Sequence, residues 1–132
     1  MALLAQIFAL LAGLFHVVVF VMESVLFERP RVYHGVFGAT AEDVKPMRVW
    51  AFNIGFYNLF LAIGAIVGVI LWWAGNDVAG RTLLVFTMAA MFLAGCVLFL
   101  SDRLGLRTGG SITGPLGQAI PPLIALIALA FS

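Results

Sequence analysis

The sequence predicts an all-α protein, an integral membrane bundle of four transmembrane helices. Three observations predict it. The 132 residues are 64% hydrophobic and 10% charged, whereas soluble domains average roughly 45–50% apolar and about 25% charged. Mean hydropathy is +1.15. The apolar residues fall into four runs divided by short polar breaks. A soluble domain of this size leaves much of its surface in water, so the bilayer is the solvent for most of this chain.

The first span is expected over residues 2–22. It contains no Lys or Arg and ends at Glu23 rather than at a small-residue cleavage site, so it reads as a retained span and not a signal peptide. At about 22 residues it is long enough to cross the bilayer. A polar break follows at Glu28-Arg29-Pro30-Arg31, with turns expected at Gly35 and Gly38. Thr40-Ala41-Glu42-Asp43 has capping-box spacing, with Asp43 in the place usually held by Glu or Gln. It starts either a short helix leading into the second span or a segment after which Pro46 opens that span.

The second span is expected over 48–73, with Trp50 at one end and Trp72-Trp73 at the other, as interfacial aromatics require. The third covers 81–100, between Arg81 and Ser101-Asp102-Arg103. The fourth covers 116–131 and contains Pro121-Pro122. Those prolines remove donors and restrict the residues before them, so this helix is expected to be kinked, or to begin only at Pro121, with Gln118 or a water compensating. The chain is read as one transmembrane domain, 1–132. The glycine-rich stretch from Gly105 to Pro115 reads as irregular. It lacks the GxxxxGK[ST] order of a phosphate loop.

Charge orients the bundle. Arg29, Arg31, Lys45, Arg48, Arg103 and Arg107 fall on one side and Arg81 on the other. The positive-inside rule then places the loops over 24–47 and 101–115 in the cytoplasm and both termini outside, in a multi-pass cell-membrane protein. The net charge of +1 offers no basic patch for nucleic acid. The single cysteine, Cys96, cannot form an internal disulfide and is expected as a buried thiol.

Polar residues inside membranes are costly and therefore informative. Ala2, Ala5, Ala9, Ala12, His16, Val19 and Glu23 follow 3–4 spacing on the first helix. They form a face of small residues leading to a histidine and a carboxylate, about 10 Å apart along the axis. On the second helix, Asn53 and Tyr57 share a stripe that continues to Gly64 and Gly68, a GxxxG pair, with Asn58 adjacent. Thr87, Ala90, Ala94 and Ser101 mark the third helix, and Gln118 opens the fourth. His16, Glu23, Asn53, Tyr57, Asn58 and Gln118 are therefore expected to converge on one pocket in the cytoplasmic half of the bundle, with Arg48 in reach of Glu23. The alternative is that the amides serve only as interhelical hydrogen-bond glue.

These residues also carry a resemblance. The run from His16 to Glu23, the stretch from Phe27 through Pro30 to Phe37-Gly38, Asn53-Ile-Gly55-Phe-Tyr57-Asn58, and Gly117-Gln118-Ala-Ile-Pro121 resemble the small four-helix membrane family catalogued as domain of unknown function 1304. Ile54 stands where that family commonly has Gln. The resemblance implies four spans and the same site residues. It implies no activity.

Three functions fit this pattern. One is a pocket that binds a small amphiphilic or lipid-like ligand, with His16 available for acid–base work beside Glu23; no nucleophile motif names a reaction, so enzymatic activity stays open. Another is a proton or small-solute transport component, which at this size would need to oligomerise. The third is a structural accessory subunit of a larger complex. No cofactor is indicated. The second histidine, His34, lies in a loop, which removes bis-histidine haem in the bundle, and no metal set is apparent.

Overall fold

The computed structural model describes residues 1–106 and 112–132. Helix α1 (Ala2–Phe20) continues into a π turn (Val21–Val25), and a short helix α2 (Pro30–Tyr33) follows. Helices α3 (Ala41–Trp73), α4 (Asp77–Arg103) and α5 (Thr113–Ala130) complete the chain. Four helical segments are long and apolar enough to cross a membrane: Ala2–Val25, Ala41–Trp73, Asp77–Arg103 and Thr113–Ala130. In hydrocarbon every backbone polar group must be satisfied within its own segment, which is why apolar runs of this length become helices.

The ends are set by local chemistry. The Asp43 carboxylate accepts from the Thr40 backbone N–H at 2.9 Å and from its hydroxyl at 2.7 Å, capping α3. Pro46 is the sixth residue of that helix. It denies a bond only to the carbonyl of Glu42, an exposed residue. The expected lead-in helix and second span are thus one helix, beginning at Ala41 rather than near Arg48. Gly75 stops α3 at φ 82°. There the Asn76 N–H donates to Leu71 O at 2.9 Å and the Gly75 N–H to Trp72 O at 3.1 Å, a Schellman ending. Gly105 ends α4 in the same way, at φ 70°.

Helix α5 corrects another expectation. It runs unbroken from Thr113 with both prolines inside, so it neither starts at Pro121 nor is irregular before it. Proline fixes φ near a helical value; the pair removes two donors without forcing the chain out of the helix. Of the stretch from Gly105 to Pro115 read as irregular, Thr113, Gly114 and Pro115 belong to α5, and residues 107–111, with Arg107, lie outside the described residues.

Around the bundle, α1 packs on α3 and α5, and α4 packs on the same two from the opposite side. The core joins the buried alanines of α1 (Ala5, Ala9 and Ala12) to the bulky Leu84, Met88 and Met91 of α4. Small residues on one helix thus make room for large ones on the helix across from it. The GxxxG pair packs against α4: a Cβ on Gly64 would lie 2.6 Å from the Thr87 methyl, and one on Gly80 would lie 2.7 Å from the Trp72 backbone nitrogen. Cys96 is exposed on α4, contrary to the buried thiol expected; the inward stripe of that helix is Gly80, Leu84, Thr87, Met88, Met91 and Gly95.

At the end opposite α2, the Trp73 indole donates to Gln6 Oε1 at 3.0 Å. Arg81 donates to Leu129 O at 3.1 Å and Ser132 O at 2.8 Å while stacking 5.2 Å from the Trp72 ring centroid. These contacts tie the ends of α1, α3, α4 and α5 together.

Candidate functional site

His16 closes the alanine stripe of α1 and is 0% exposed. Its Nδ1 donates to Ala12 O at 2.8 Å, which in the neutral ring leaves Nε2 as an acceptor. That Nε2 is buried without a partner among the described residues. The Phe15 ring meets the imidazole edge-on at 5.8 Å.

Beyond His16 the helix changes count. The Leu26 N–H donates to Val21 O at 2.9 Å, a five-residue step in place of four. The π turn absorbs one residue, so Ser24 takes the inward position that heptad spacing assigns to Glu23. Ser24 is 3% exposed and lies against Gly55, where an added Cβ would collide with the Ser24 hydroxyl. Its Oγ donates to Phe52 O at 3.0 Å. Glu23 sits beside this contact, and its Oε2 accepts from the Asn58 amide at 2.8 Å. The same amide nitrogen donates back to Ile54 O at 3.2 Å.

Arg48 does not take Glu23 as expected. Its Nε donates to Glu28 Oε1 at 2.9 Å and its Nη2 to Ser24 O at 3.1 Å. The Ser24 carbonyl belongs to the last turn of the first span, where helix carbonyls lack internal donors, and the guanidinium supplies one. Its Cζ lies 5.4 Å from the Phe52 ring centroid, and Nη1 is buried without an acceptor.

The six expected site residues therefore divide. His16, Glu23 and Asn58 lie at the α1–α3 contact. Asn53 and Tyr57 do not join them: both are exposed, Tyr57 by 61%. The reason is geometric. The buried face of α3 is Ala51, Gly55, Asn58, Ala62, Ala65, Gly68 and Val69, which looks toward α1 near Glu23. The stripe through Gly64 and Gly68 is covered by α4 at Thr87 and Leu84, and nearer α2 the same stripe is exposed. Gln118 falls in the inward series of α5 with Pro115, Pro122 and Ala125 and is partly exposed. Its neighbour Gly117 abuts the Phe15 ring, so it stands within about a turn of the level of His16.

Asn53 and Tyr57 instead line a shallow groove of about 290 Å³ with Phe52, Phe56 and Phe60. Ring centroids are 5.0 Å apart for Phe52–Phe56 and 6.2 Å for Phe56–Phe60, and Phe20 packs on Phe56 at 5.1 Å. Neither polar side chain has a hydrogen-bond partner among the described residues. The i, i+4, i+8 spacing of Phe52, Phe56 and Phe60 is the signal in the sequence that could have found this groove; nothing there signalled the Ser24–Gly55 contact. Among the described residues no three of His, Cys, Asp and Glu are grouped to hold a metal.

A family model described as a protein of unknown function (DUF1304) matches residues 10–130. The chain belongs to this family. The stretches by which its sequence resembles DUF1304 proteins are placed as follows: His16 buried and Glu23 half-buried on the first span, Phe27 to Gly38 around α2, Asn53 to Asn58 divided between inner face and groove, and Gly117 to Pro121 on α5. No curated protein and no solved structure matches this DUF1304 chain. It is a multi-pass membrane protein whose family description assigns no activity.

Proposed function

We propose that this protein binds a small amphiphile of the bilayer, and that it does so in the α3 groove and not in the bundle interior. The carrying observation is the groove itself: three phenylalanines and Tyr57 wall a depression that also holds the unpaired Asn53 amide. An amide without a partner costs several kcal/mol in hydrocarbon, and a polar group of a ligand removes that cost.

Depth supports the reading. Trp50 and Trp72 lie about 33 Å apart along α3, close to the roughly 30 Å of a hydrocarbon core. Asn53 is then about 4.5 Å inside the Trp50 level and Tyr57 about 10 Å inside. The polar part of the ligand pairs with Asn53 and Tyr57, and its chain lies on Phe56 and Phe60. Glu23 and Asn58 hold the first span against α3 behind it. In this reading the α2 end faces the cytoplasm and both termini face outside, following the basic residues.

The test is photolabelling of the purified protein with a phospholipid that bears a diazirine on one acyl chain. We expect the label on the peptide containing residues 50–60, and expect Asn53→Ala with Tyr57→Phe to reduce it several-fold. Labelling spread evenly over the exposed faces of all four long helices, unchanged by the variants, would sink the proposal and favour an accessory structural role.

A further inference from the structure

We propose that the amphiphile carries an anionic phosphodiester headgroup, held by Lys45 and Arg48. This rests on the groove being an amphiphile site. A second depression, of about 360 Å³, lies beyond Trp50 and is lined by Glu28, Ala41, Val44, Lys45 and Arg48. It shares no lining residue with the first and meets it where Arg48 of the one adjoins Phe52 of the other. Ala41, Lys45, Arg48, Phe52, Phe56 and Phe60 follow one another at spacings of three or four on a single helix, a stripe that winds about 120° round the helix from Arg48 to Phe60. The joint is the Arg48 guanidinium lying over the Phe52 ring at 5.4 Å.

The stripe changes chemistry at the level where a lipid does. Lys45 lies about 7.5 Å outside Trp50 and Arg48 about 3 Å outside it, while Phe60 lies about 15 Å inside. Cations thus occupy the headgroup zone and aromatic rings the acyl zone. Charge fixes the headgroup. Arg48 is paired with Glu28 at 2.9 Å. Lys45 has no ion-pair partner among the described residues. Lys45, Arg48 and Glu28 together leave one positive charge, which one phosphodiester balances. Glu42 and Asp43 do not line the depression: Asp43 is turned to Thr40, and Glu42 is exposed one residue off the stripe.

A phosphate fits better than a carboxylate. The Nε and Nη2 of Arg48 already serve Glu28 and Ser24 O and its Nη1 is buried, so Arg48 supplies charge and the Lys45 ammonium makes the contact. Lys45 and Phe52 are also about 10 Å apart, the reach of a glycerophosphate before its acyl chains begin. A fatty acid with its carboxylate at Lys45 would strand its first methylenes in the headgroup zone.

The test is retention of added lipid by the detergent-solubilised protein, read by native mass spectrometry. The probes are dioleoylphosphatidylglycerol, dioleoylglycerol and inorganic phosphate. We expect the wild type to hold the phospholipid at least several-fold better than the diacylglycerol. Lys45→Glu should erase that preference, about tenfold, while Lys45→Arg keeps it; inorganic phosphate should not compete. Equal retention of both lipids, reduced for both by Asn53→Ala, overturns the phosphate assignment and leaves the groove standing. Retention of neither lipid overturns both. Competition by inorganic phosphate at millimolar concentration overturns the lipid source in favour of a free-anion site.

Discussion

The Asn58 amide donates to the Glu23 carboxylate at 2.8 Å, joining the end of the first span to the middle of α3. Such bonds within membranes average about 0.6 kcal/mol and reach about 1.7. A double-mutant cycle with Glu23→Ala and Asn58→Ala, read by denaturation in detergent, should return a coupling of about 1 kcal/mol. Glu23→Gln keeps an acceptor oxygen and should shift stability by less than about 0.5 kcal/mol. A loss with Gln as large as that with Ala would mean that the negative charge, and not the bond, matters here.

Gly55 allows the closest approach at the site. Gly55→Ala drives a methyl into the Ser24 hydroxyl and should cost about 2 kcal/mol. Ser24→Gly in the same chain should restore most of that loss, because it removes the colliding atom. If the pair is no better than Gly55→Ala alone, the two backbones are not held in the contact described.

His16 carries a buried acceptor without a donor. A buried unsatisfied group costs about 1–3 kcal/mol, so His16→Leu, which is close in volume and drops both ring nitrogens, should be neutral or stabilising. His16→Ala should cost about 2–4 kcal/mol through the cavity it leaves. Thermal unfolding of both variants decides this. Equal damage from the two would reveal that Nε2 has a partner in the bilayer.

Orientation has a direct readout. In a chain with Cys96→Ser, a change at an exposed α4 position, a cysteine at Ser132 should react with an impermeant maleimide added outside intact cells. One at His34, beside α2, should react only after permeabilisation. The reverse pattern would invert the topology and place the Lys45–Arg48 end in the opposite leaflet.

The four spans were readable because bilayer burial needs long apolar runs, and nothing else in 132 residues produces them. The alanine face ending at His16 and the Thr40–Asp43 cap were readable for the same kind of reason: each depends on spacing within one helix. Readings that needed to know which neighbour covers a helix face went astray. Asn53 and Tyr57 do share a stripe with Gly64 and Gly68, but α4 covers only the far part of it. The fate of Arg48 depended on Glu28 and on the Ser24 carbonyl, a backbone atom that side-chain patterns do not display. The span from Ala41 outran its expected start because hydropathy marks where the bilayer begins, not where a capped helix does.

The π turn at Val21–Val25 gives the first span a length tolerance that the rest of the helix lacks. It holds one residue more than an α-helical path between His16 and Ser24 requires, so it is a place where evolution or an engineer can take a residue out. Deleting Met22 lets the segment close as ordinary α-helix with Ser24 still turned toward Gly55. The same deletion three turns earlier, among Ala5, Ala9 and Ala12, rotates everything after it by about 100° and turns the histidine out of the bundle. In this protein the surplus residue is stored beside the site, where it can be removed without rewriting the helix that leads to it.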